Sequence, residues 1–284
     1  SRAIEYYEPA LAISREIGDH REEGAVLGNL GSAYRDLGQA SRAIEYHEQA
    51  LAISREIGYR RGEGIHLGNL GNAYWALGQV ERAIEYYEQA LAISREIGDR
   101  RGEGNHLGNL GLAYAALGQA ERAVEYYEPA LAISREIGDR HNEGTWLGNL
   151  GLAYAALGQA SRAIEYYEPA LAISREIGDR HNEGTWLGNL GLAYAALGQA
   201  SRAIEYYEPA LAISREIGDH REEGAVLGNL GSAYRDLGQA SRAIEYYEPA
   251  LAISREIGDH REEGAVLGNL GSAYRDLGQA SRAI

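Results

Sequence analysis

The sequence contains no cysteine, methionine, phenylalanine or lysine. Without cysteine there is no disulfide framework and no thiolate that could act as a nucleophile or a metal ligand, which fits a cytoplasmic protein. No apolar run approaches the roughly 20 residues that span a bilayer and there is no signal-type start, so we expect no membrane partner. The absence of four residue types from 284 residues indicates that a few positions were copied many times.

The charge balance is acidic, with a formal net charge of −15 at pH 7. Proteins that bind nucleic acid need a basic face for the phosphates, so this balance argues against nucleic acid as a partner. The acidity is explained equally well as a solubility feature.

A 40-residue repeat accounts for the whole length, because 284 residues are seven units of 40 with four residues over. Segments 1–40, 201–240 and 241–280 are identical. Self-similarity at a fixed period predicts a repeat architecture, here one array over 1–284. It opens with a lone second helix (1–18) and closes with a lone first helix (about 260–277), with no capping repeats, and these complementary ends predict end-to-end self-association.

Each unit is predicted to be a helical hairpin. Asp19 can cap the first helix, with Glu22 completing a capping box, and Gly38 ends that helix. Ser41 is then predicted to cap the second helix, which ends at Gly58. Leu27, Leu30, Tyr34 and Leu37 recur at helical spacing, and short connections require antiparallel helices. No segment alternates with period two, so no strands are expected.

The segment NLGSAYRDLGQASRAIEYHEQAL (29–51) resembles the tetratricopeptide repeat consensus. The matching residues are Leu30, Gly31, Ala33, Tyr34, Gly38, Ala43, His47 and Ala50. The resemblance implies an all-α fold, a right-handed α-solenoid (superhelix) of antiparallel hairpins. The family's usual repeat has 34 residues; these 40-residue units resemble the repeats of Pins-type adaptors and of bacterial signalling arrays. Prolines within the second helix, at 9, 129, 169, 209 and 249, are expected to bend it.

No motif indicates catalysis or a cofactor. The glycine-rich stretch GEGIHLGNLG (62–71) lacks the preceding strand of a dinucleotide site. Seven of the eight histidines recur at equivalent positions of different units, which favours copied surface residues over a metal site, and His47 replaces the tyrosine found in the other six units. No Ser-His-Asp or paired-carboxylate arrangement stands out. We therefore expect a protein that is not an enzyme.

Differences between the copies concentrate in the first helix, at positions 25, 32, 35 and 36. Helical spacing puts positions 25, 29, 32 and 36 on one stripe. In solenoids of the resembling family the first helix lines the concave groove. Surface drift is the alternative, but drift would not spare the second helix. We therefore predict a scaffold that binds a protein or an extended peptide; the alternative is a structural, self-assembling spacer of a larger signalling protein.

Two features of the predicted groove never vary. An asparagine at position 29 of each unit offers a donor and an acceptor for a peptide main chain, or else links adjacent repeats. Gly28 and its equivalents are predicted to leave the floor bare. Trp146 and Trp186 are expected to pack between repeats rather than contact a ligand. The predicted groove residues are Asn69, Trp75, Asn109, Leu112, Asn149, Leu152, Asn189, Leu192 and Asn229.

Overall fold

The fold is given by a computed structural model that describes residues 2–278, and the secondary structure in this range is entirely α-helical. This confirms the predicted all-α class; the terminal SRAI segment, at 281–284, lies outside the described residues. The helices are α1 (Arg2–Ile17), α2 (His20–Asp36), α3 (Ala40–Glu56), α4 (Arg60–Ala76), α5 (Val80–Glu96), α6 (Arg100–Ala116), α7 (Ala120–Glu136), α8 (Arg140–Ala156), α9 (Ala160–Ile177), α10 (Arg180–Ala196), α11 (Ala200–Ile217), α12 (His220–Asp236), α13 (Ala240–Glu256) and α14 (His260–Asp276).

The chain forms two compact units, Ser1–Asp139 and Arg140–Ile284, which we call unit 1 and unit 2. Even-numbered helices are the first helices of the hairpins, and odd-numbered helices are the second. Within each unit, a first helix packs on the second helix of its own hairpin and on the second helix before it. The backbones of first helices also approach one another, as in α2 with α4 and α10 with α12. The backbones of the described second helices within each unit lie farther apart, and a side-chain bond from Arg15 to Gln49 at 3.4 Å joins α1 to α3. The first helices therefore share one face in each unit.

Glycines in the left-handed conformation end the helices. In residues 2–278, fourteen glycines have φ between 68° and 73°, spaced twenty residues apart. After α2, the Gly38 N–H donates to the Arg35 carbonyl at 2.8 Å, and the Gln39 N–H donates to the Tyr34 carbonyl at 2.9 Å. These bonds satisfy carbonyls that the helix end would otherwise leave unpaired. Glycine is required there because a Cβ disfavours positive φ.

The helix starts agree only in part with the prediction. Asp19 caps α2, because its Oδ1 accepts the Glu22 N–H at 3.0 Å. The second half of the capping box was wrong, since the Asp19 N–H already donates to the Ser14 carbonyl at 3.0 Å. The Ser41 cap was also wrong. The second helix α3 begins at Ala40 directly after Gln39, which makes no side-chain cap bond, so Ser41 lies inside the first turn.

Aromatic stacking joins the two helices of a hairpin. The Tyr34 and Tyr46 rings stack at 5.2 Å with 2° between their planes, and the Arg42 guanidinium lies 4.6 Å from the Tyr34 centroid. Leu27 and Leu30 are fully buried beside them. Leu37, predicted to continue the same stripe, is instead 45% exposed, because it is the C-cap residue at which α2 ends.

Second helices approach first helices closely through glycine. A Cβ on Gly71 would lie 2.4 Å from Cε1 of the Tyr87 ring, and a Cβ on Gly31 would lie 2.7 Å from the His47 ring. A side chain at either position would displace the ring. The helix containing Pro169 continues from Ala160 to Ile177, so proline does not interrupt it.

Ion pairs link three successive helices on another side of the hairpins. In unit 1, Arg55 Nε donates to Glu63 Oε1 at 2.8 Å, while Arg60 donates to both Glu63 and Glu96. Burial alone would raise the pKa of Glu63, but the hydrogen bonds from the two arginines outweigh it and the pKa lies below its usual value. In unit 2 the same arrangement consists of Arg175, Arg180, Glu183 and Glu216.

Candidate functional site

The shared face of the first helices, which we call the inner face, carries the positions that vary between repeats. In α2, Ala25, Asn29 and Asp36 are exposed and Ser32 is half-buried, while Leu27 and Leu30 between them are buried. The helix periodicity therefore separates one stripe that packs from one stripe that is open to solvent.

The asparagines at position 29 of each repeat lie on the inner face, and all of them except the exposed Asn29 are half-buried. Within the described residues, five of them have no protein hydrogen bond: Asn29, Asn69, Asn149, Asn189 and Asn229. Asn109 differs, because its Nδ2 donates to Asn72 Oδ1 of the preceding first helix at 3.4 Å. Asn269 Oδ1 likewise accepts from Arg235 Nη1 of the preceding first helix at 3.5 Å. Five of the seven amides are thus available to a ligand, and two bonds link adjacent repeats as the alternative interpretation predicted.

Large apolar side chains lie exposed beside the asparagines. Trp75 is 38% exposed in unit 1, and Leu192 is 48% exposed in unit 2. Leu112 and Leu152 are similarly exposed on α6 and α8. Sequence reasoning left out Ile65, which is 49% exposed on α4. Comparison of the copies could have identified this residue, since the other repeats have alanine, asparagine or threonine at the same position.

Tyrosine hydroxyls of the second helices contact polar side chains of the first helices. The Tyr87 hydroxyl donates to Asn72 Oδ1 at 2.8 Å, and the Tyr247 hydroxyl lies 3.0 Å from Ser232 Oγ. Burial raises the pKa of both phenols, so they stay protonated and able to donate. Sequence reasoning did not include these tyrosines among the groove residues.

The prediction of a bare glycine floor was wrong. Gly28 is buried, and a Cβ on it would lie 2.7 Å from Cε1 of His66, on the next first helix. In unit 2, a Cβ on Gly148 would lie 2.1 Å from Cη2 of Trp186. These glycines are needed because a side chain of the following repeat covers them, so they are closed to a ligand backbone.

The same contacts bury residues that the sequence assigned differently. His66 is only 6% exposed, so its interpretation as a copied surface residue was wrong. His106 covers Gly68 in the same way and is half-buried. Trp186 is 5% exposed and stacks on Tyr167 at 6.0 Å, which confirms packing between repeats. Within the described residues, no cluster of three or more histidines and carboxylates could hold a metal ion.

Burial controls the charge state of the interior histidines. Desolvation lowers the pKa of His66 to about 4, and desolvation together with the nearby His66 and Arg35 lowers the pKa of His47 to about 3. The two rings lie 6.3 Å apart, and both nitrogens of His47 are buried without a partner. At neutral pH these imidazoles are therefore uncharged.

Comparison with known proteins agrees with this architecture. The sequence model of the tetratricopeptide repeat family matches residues 2–56, 62–136, 102–176, 142–216, 182–256 and 222–284. Curated proteins gave no significant match. Within residues 2–278, no helix has the length and apolar character needed to cross a membrane.

Solved structures show the same fold. Putative kinesin light chain repeats from Podospora anserina align with a TM-score of 0.60 and 28% identity over 70% of this chain and 98% of that chain. A signal transduction ATPase with a tetratricopeptide repeat sensor from Pyrococcus horikoshii aligns with a TM-score of 0.80 and 20% identity over 96% of this chain and 42% of that chain. The quorum sensor NprR from B. thuringiensis aligns with a TM-score of 0.71 and 19% identity over 99% of this chain and 80% of that chain. The chain belongs to the tetratricopeptide repeat family.

Proposed function

We propose that this protein is an interaction module that holds an extended peptide segment of a partner against the inner face of its first helices. The observation that carries the proposal is the repeated, half-buried asparagine without a protein partner, as at Asn149 and Asn189. Each amide offers both a donor and an acceptor, which is what a peptide main chain requires. Such bonds fix the position of a peptide without reading its sequence.

The spacing of the helices suits an extended ligand. Packed helices lie about 8–10 Å apart, and an extended chain advances about 3.3 Å per residue. A peptide that crosses neighbouring first helices would therefore meet a new asparagine at about every third residue. Each bond adds about 0.5–1.5 kcal/mol, so several in a row give useful affinity.

Exposed apolar side chains would supply selectivity. Leu152 and Leu192 stand beside the free asparagines of unit 2, and Trp75 stands in unit 1. Aromatic and aliphatic groups of this kind act as anchors when a partner covers them. The Pyrococcus horikoshii and NprR structures, each named as a sensor, support an interaction role for the fold, although their identity to this chain is low.

The proposal is tested with peptides selected from a random display library on the wild-type chain. Replacing Asn149 and Asn189 by alanine removes two bonds of about 1 kcal/mol each, so we expect Kd to rise about 30-fold. The unfolding free energy should stay unchanged, because neither side chain has a protein partner. The matched control replaces Gln159 and Gln199, two exposed amides in the same repeats, and should bind normally. Equal affinity in wild type and the asparagine variant would refute the proposal.

A further inference from the structure

Three histidines with buried ring nitrogens distinguish the helix contacts of unit 1 from those of unit 2. His47 on α3 is fully buried, and both of its ring nitrogens lack a hydrogen-bond partner. His66 on α4 and His106 on α6 each bury an Nδ1 without a partner, and in residues 2–278 none of the three rings forms an ion pair. Protonation would turn both nitrogens of each ring into donors that need acceptors.

These rings lie where the first helices of unit 1 meet. Cε1 of His66 lies 2.7 Å from where a Cβ of Gly28 on α2 would be, and Cε1 of His106 lies 2.5 Å from the same point on Gly68 of α4. The centre of the His47 ring is 6.3 Å from that of His66. A charged imidazole is costly in such a contact unless the helices separate and admit water.

The charged groups around the rings do not offset this cost. Desolvation is the largest cause of the lowered pKa at all three rings, and the nearby His66 and Arg35 add to it at His47. Asp99 at the start of α6 acts in the opposite direction at His106, where desolvation outweighs it. A cavity beside His66 is lined by ionisable residues at the starts of α2 and α4, and none of these described side chains bonds the ring: Asp19, His20, Arg21, Glu22 and Tyr59.

Unit 2 has side chains that take up no proton at the same contacts. At the position of His66 its repeats have tryptophan or valine, namely Trp146, Trp186, Val226 and Val266. At the position of His47 they have tyrosine. The histidines in the described part of unit 2 are all exposed: His141, His181, His220 and His260. Any change that acid causes through buried imidazoles is therefore confined to unit 1.

The buried histidines and the asparagines of the candidate groove share the same helices. His66 lies three residues before Asn69 on α4, and His106 lies three residues before Asn109 on α6. Separation of α2, α4 and α6 would change the distances between successive amides, on which their joint binding of one main chain depends.

We propose that acid releases a bound peptide from unit 1 but not from unit 2, because protonation of His47, His66 and His106 separates the first helices of unit 1. The folded rings bind protons less readily than the open ones, so the closed form loses stability as the pH falls below 6.5. This inference rests on the proposed function for the ligand, whereas the opening of unit 1 is testable without one.

Hydrogen exchange tests the opening. With an open pKa of about 6.5 and a closed pKa of about 4, lowering the pH from 8 to 5 raises the ratio of open to closed form about 30-fold per histidine. The control is His47→Tyr, His66→Val and His106→Val, which carries residues of other repeats. After correction for the intrinsic effect of pH, we expect amide protection in α2, α4 and α6 to fall at least about 30-fold more in the wild type than in the control. The single variant His47→Tyr should remove about 30-fold of this loss.

Release is tested with peptides from a display library that lacks histidine, aspartate and glutamate, with both ends blocked, so that the ligand does not titrate. One class is chosen because Trp75→Ala in unit 1 weakens its binding, and a second because Leu192→Ala in unit 2 does. Between pH 7 and pH 4, depletion of the closed form should raise Kd of the first class at least about tenfold more in the wild type than in the triple-histidine control. The second class should show the same pH dependence in both proteins.

The outcomes separate this inference from the proposed function. Equal loss of protection in the wild type and the control overturns the acid opening, even if selected peptides depend on Asn149 and Asn189. Equal retention of the first peptide class by both proteins down to pH 4 overturns acid release. Loss of both classes from the wild type alone overturns its confinement to unit 1. Peptides that ignore the asparagines refute the proposed groove instead, whatever hydrogen exchange shows.

Discussion

Acid should destabilise unit 1 through His47, His66 and His106. Desolvation lowers their pKa values from 6.5 to about 3, 4 and 4, and the nearby His66 and Arg35 lower that of His47 further. Because each folded pKa is below the unfolded one, the unfolded chain binds more protons between pH 6.5 and 4. Stability is therefore complete above pH 6.5 and falls as the pH drops below it.

The expected size of the effect is large. With an unfolded pKa of 6.5 and a folded pKa of about 4, moving from pH 8 to pH 5 costs about 2 kcal/mol per histidine. Asp99 opposes the shift at His106, whereas Arg35 reinforces it at His47. The three together amount to about 6 kcal/mol, comparable with the whole stability of many domains.

The assay is urea unfolding followed by circular dichroism at pH 8 and pH 5. The matched variant His47→Tyr, His66→Val and His106→Val carries residues found at the same positions in other repeats. It keeps every exposed histidine and every carboxylate, so the difference between the two proteins isolates the buried rings. We expect the wild type to lose about 6 kcal/mol more than the variant, with hydrogen exchange placing the loss in unit 1. If both proteins lose the same free energy within about 1 kcal/mol, the argument from burial fails.

Two further predictions concern packing and capping in unit 2. Gly148→Ala should cost about 1–3 kcal/mol in denaturant unfolding, because its Cβ would lie 2.1 Å from the Trp186 ring. Gly268→Ala, where a Cβ meets nothing within 4 Å, should instead be neutral or stabilising by up to about 1 kcal/mol; equal effects would contradict the steric account. Asp179→Ala should cost about 1 kcal/mol, because Oδ1 accepts the N–H three residues on at 3.0 Å. Gln199→Ala, at a helix start without a side-chain cap bond, should change unfolding by less than about 0.5 kcal/mol, and similar losses in both variants would contradict the capping role.

The repeat made most of the fold predictable. A period of 40 with glycine every twenty residues predicts two helices per repeat, and aspartate at position 19 correctly predicts a helix cap. The open stripe was also predictable, since Leu192 and Trp75 are exposed as the helical spacing requires. These features depend on residues close together in sequence, so one copy of the unit contains the information.

The buried histidines could not be predicted in this way. A sequence pattern treats a helix as having one buried stripe, but a first helix here packs on two second helices and on the neighbouring first helices. His66 lies outside the leucine stripe and is buried by that last contact, against Gly28. The contact joins different repeats, so the periodicity of one helix does not report it.

The crevice between first helices shows that the variable positions have two separate roles. In unit 2, Glu222 and the small Val226 lie in the crevice between α10 and α12, while Trp186 covers Gly148 in the crevice between α8 and α10. In unit 1, His66 covers Gly28, and residue 62 beside it is glycine. Positions 22 and 26 therefore change together, as glutamate with valine, glycine with histidine or asparagine with tryptophan, at the contact between first helices, and a ligand need not explain their changes. Only the exposed changes, at positions 25, 32, 35 and 36, remain as evidence for recognition, which makes the candidate groove narrower than the full set of differences between the copies.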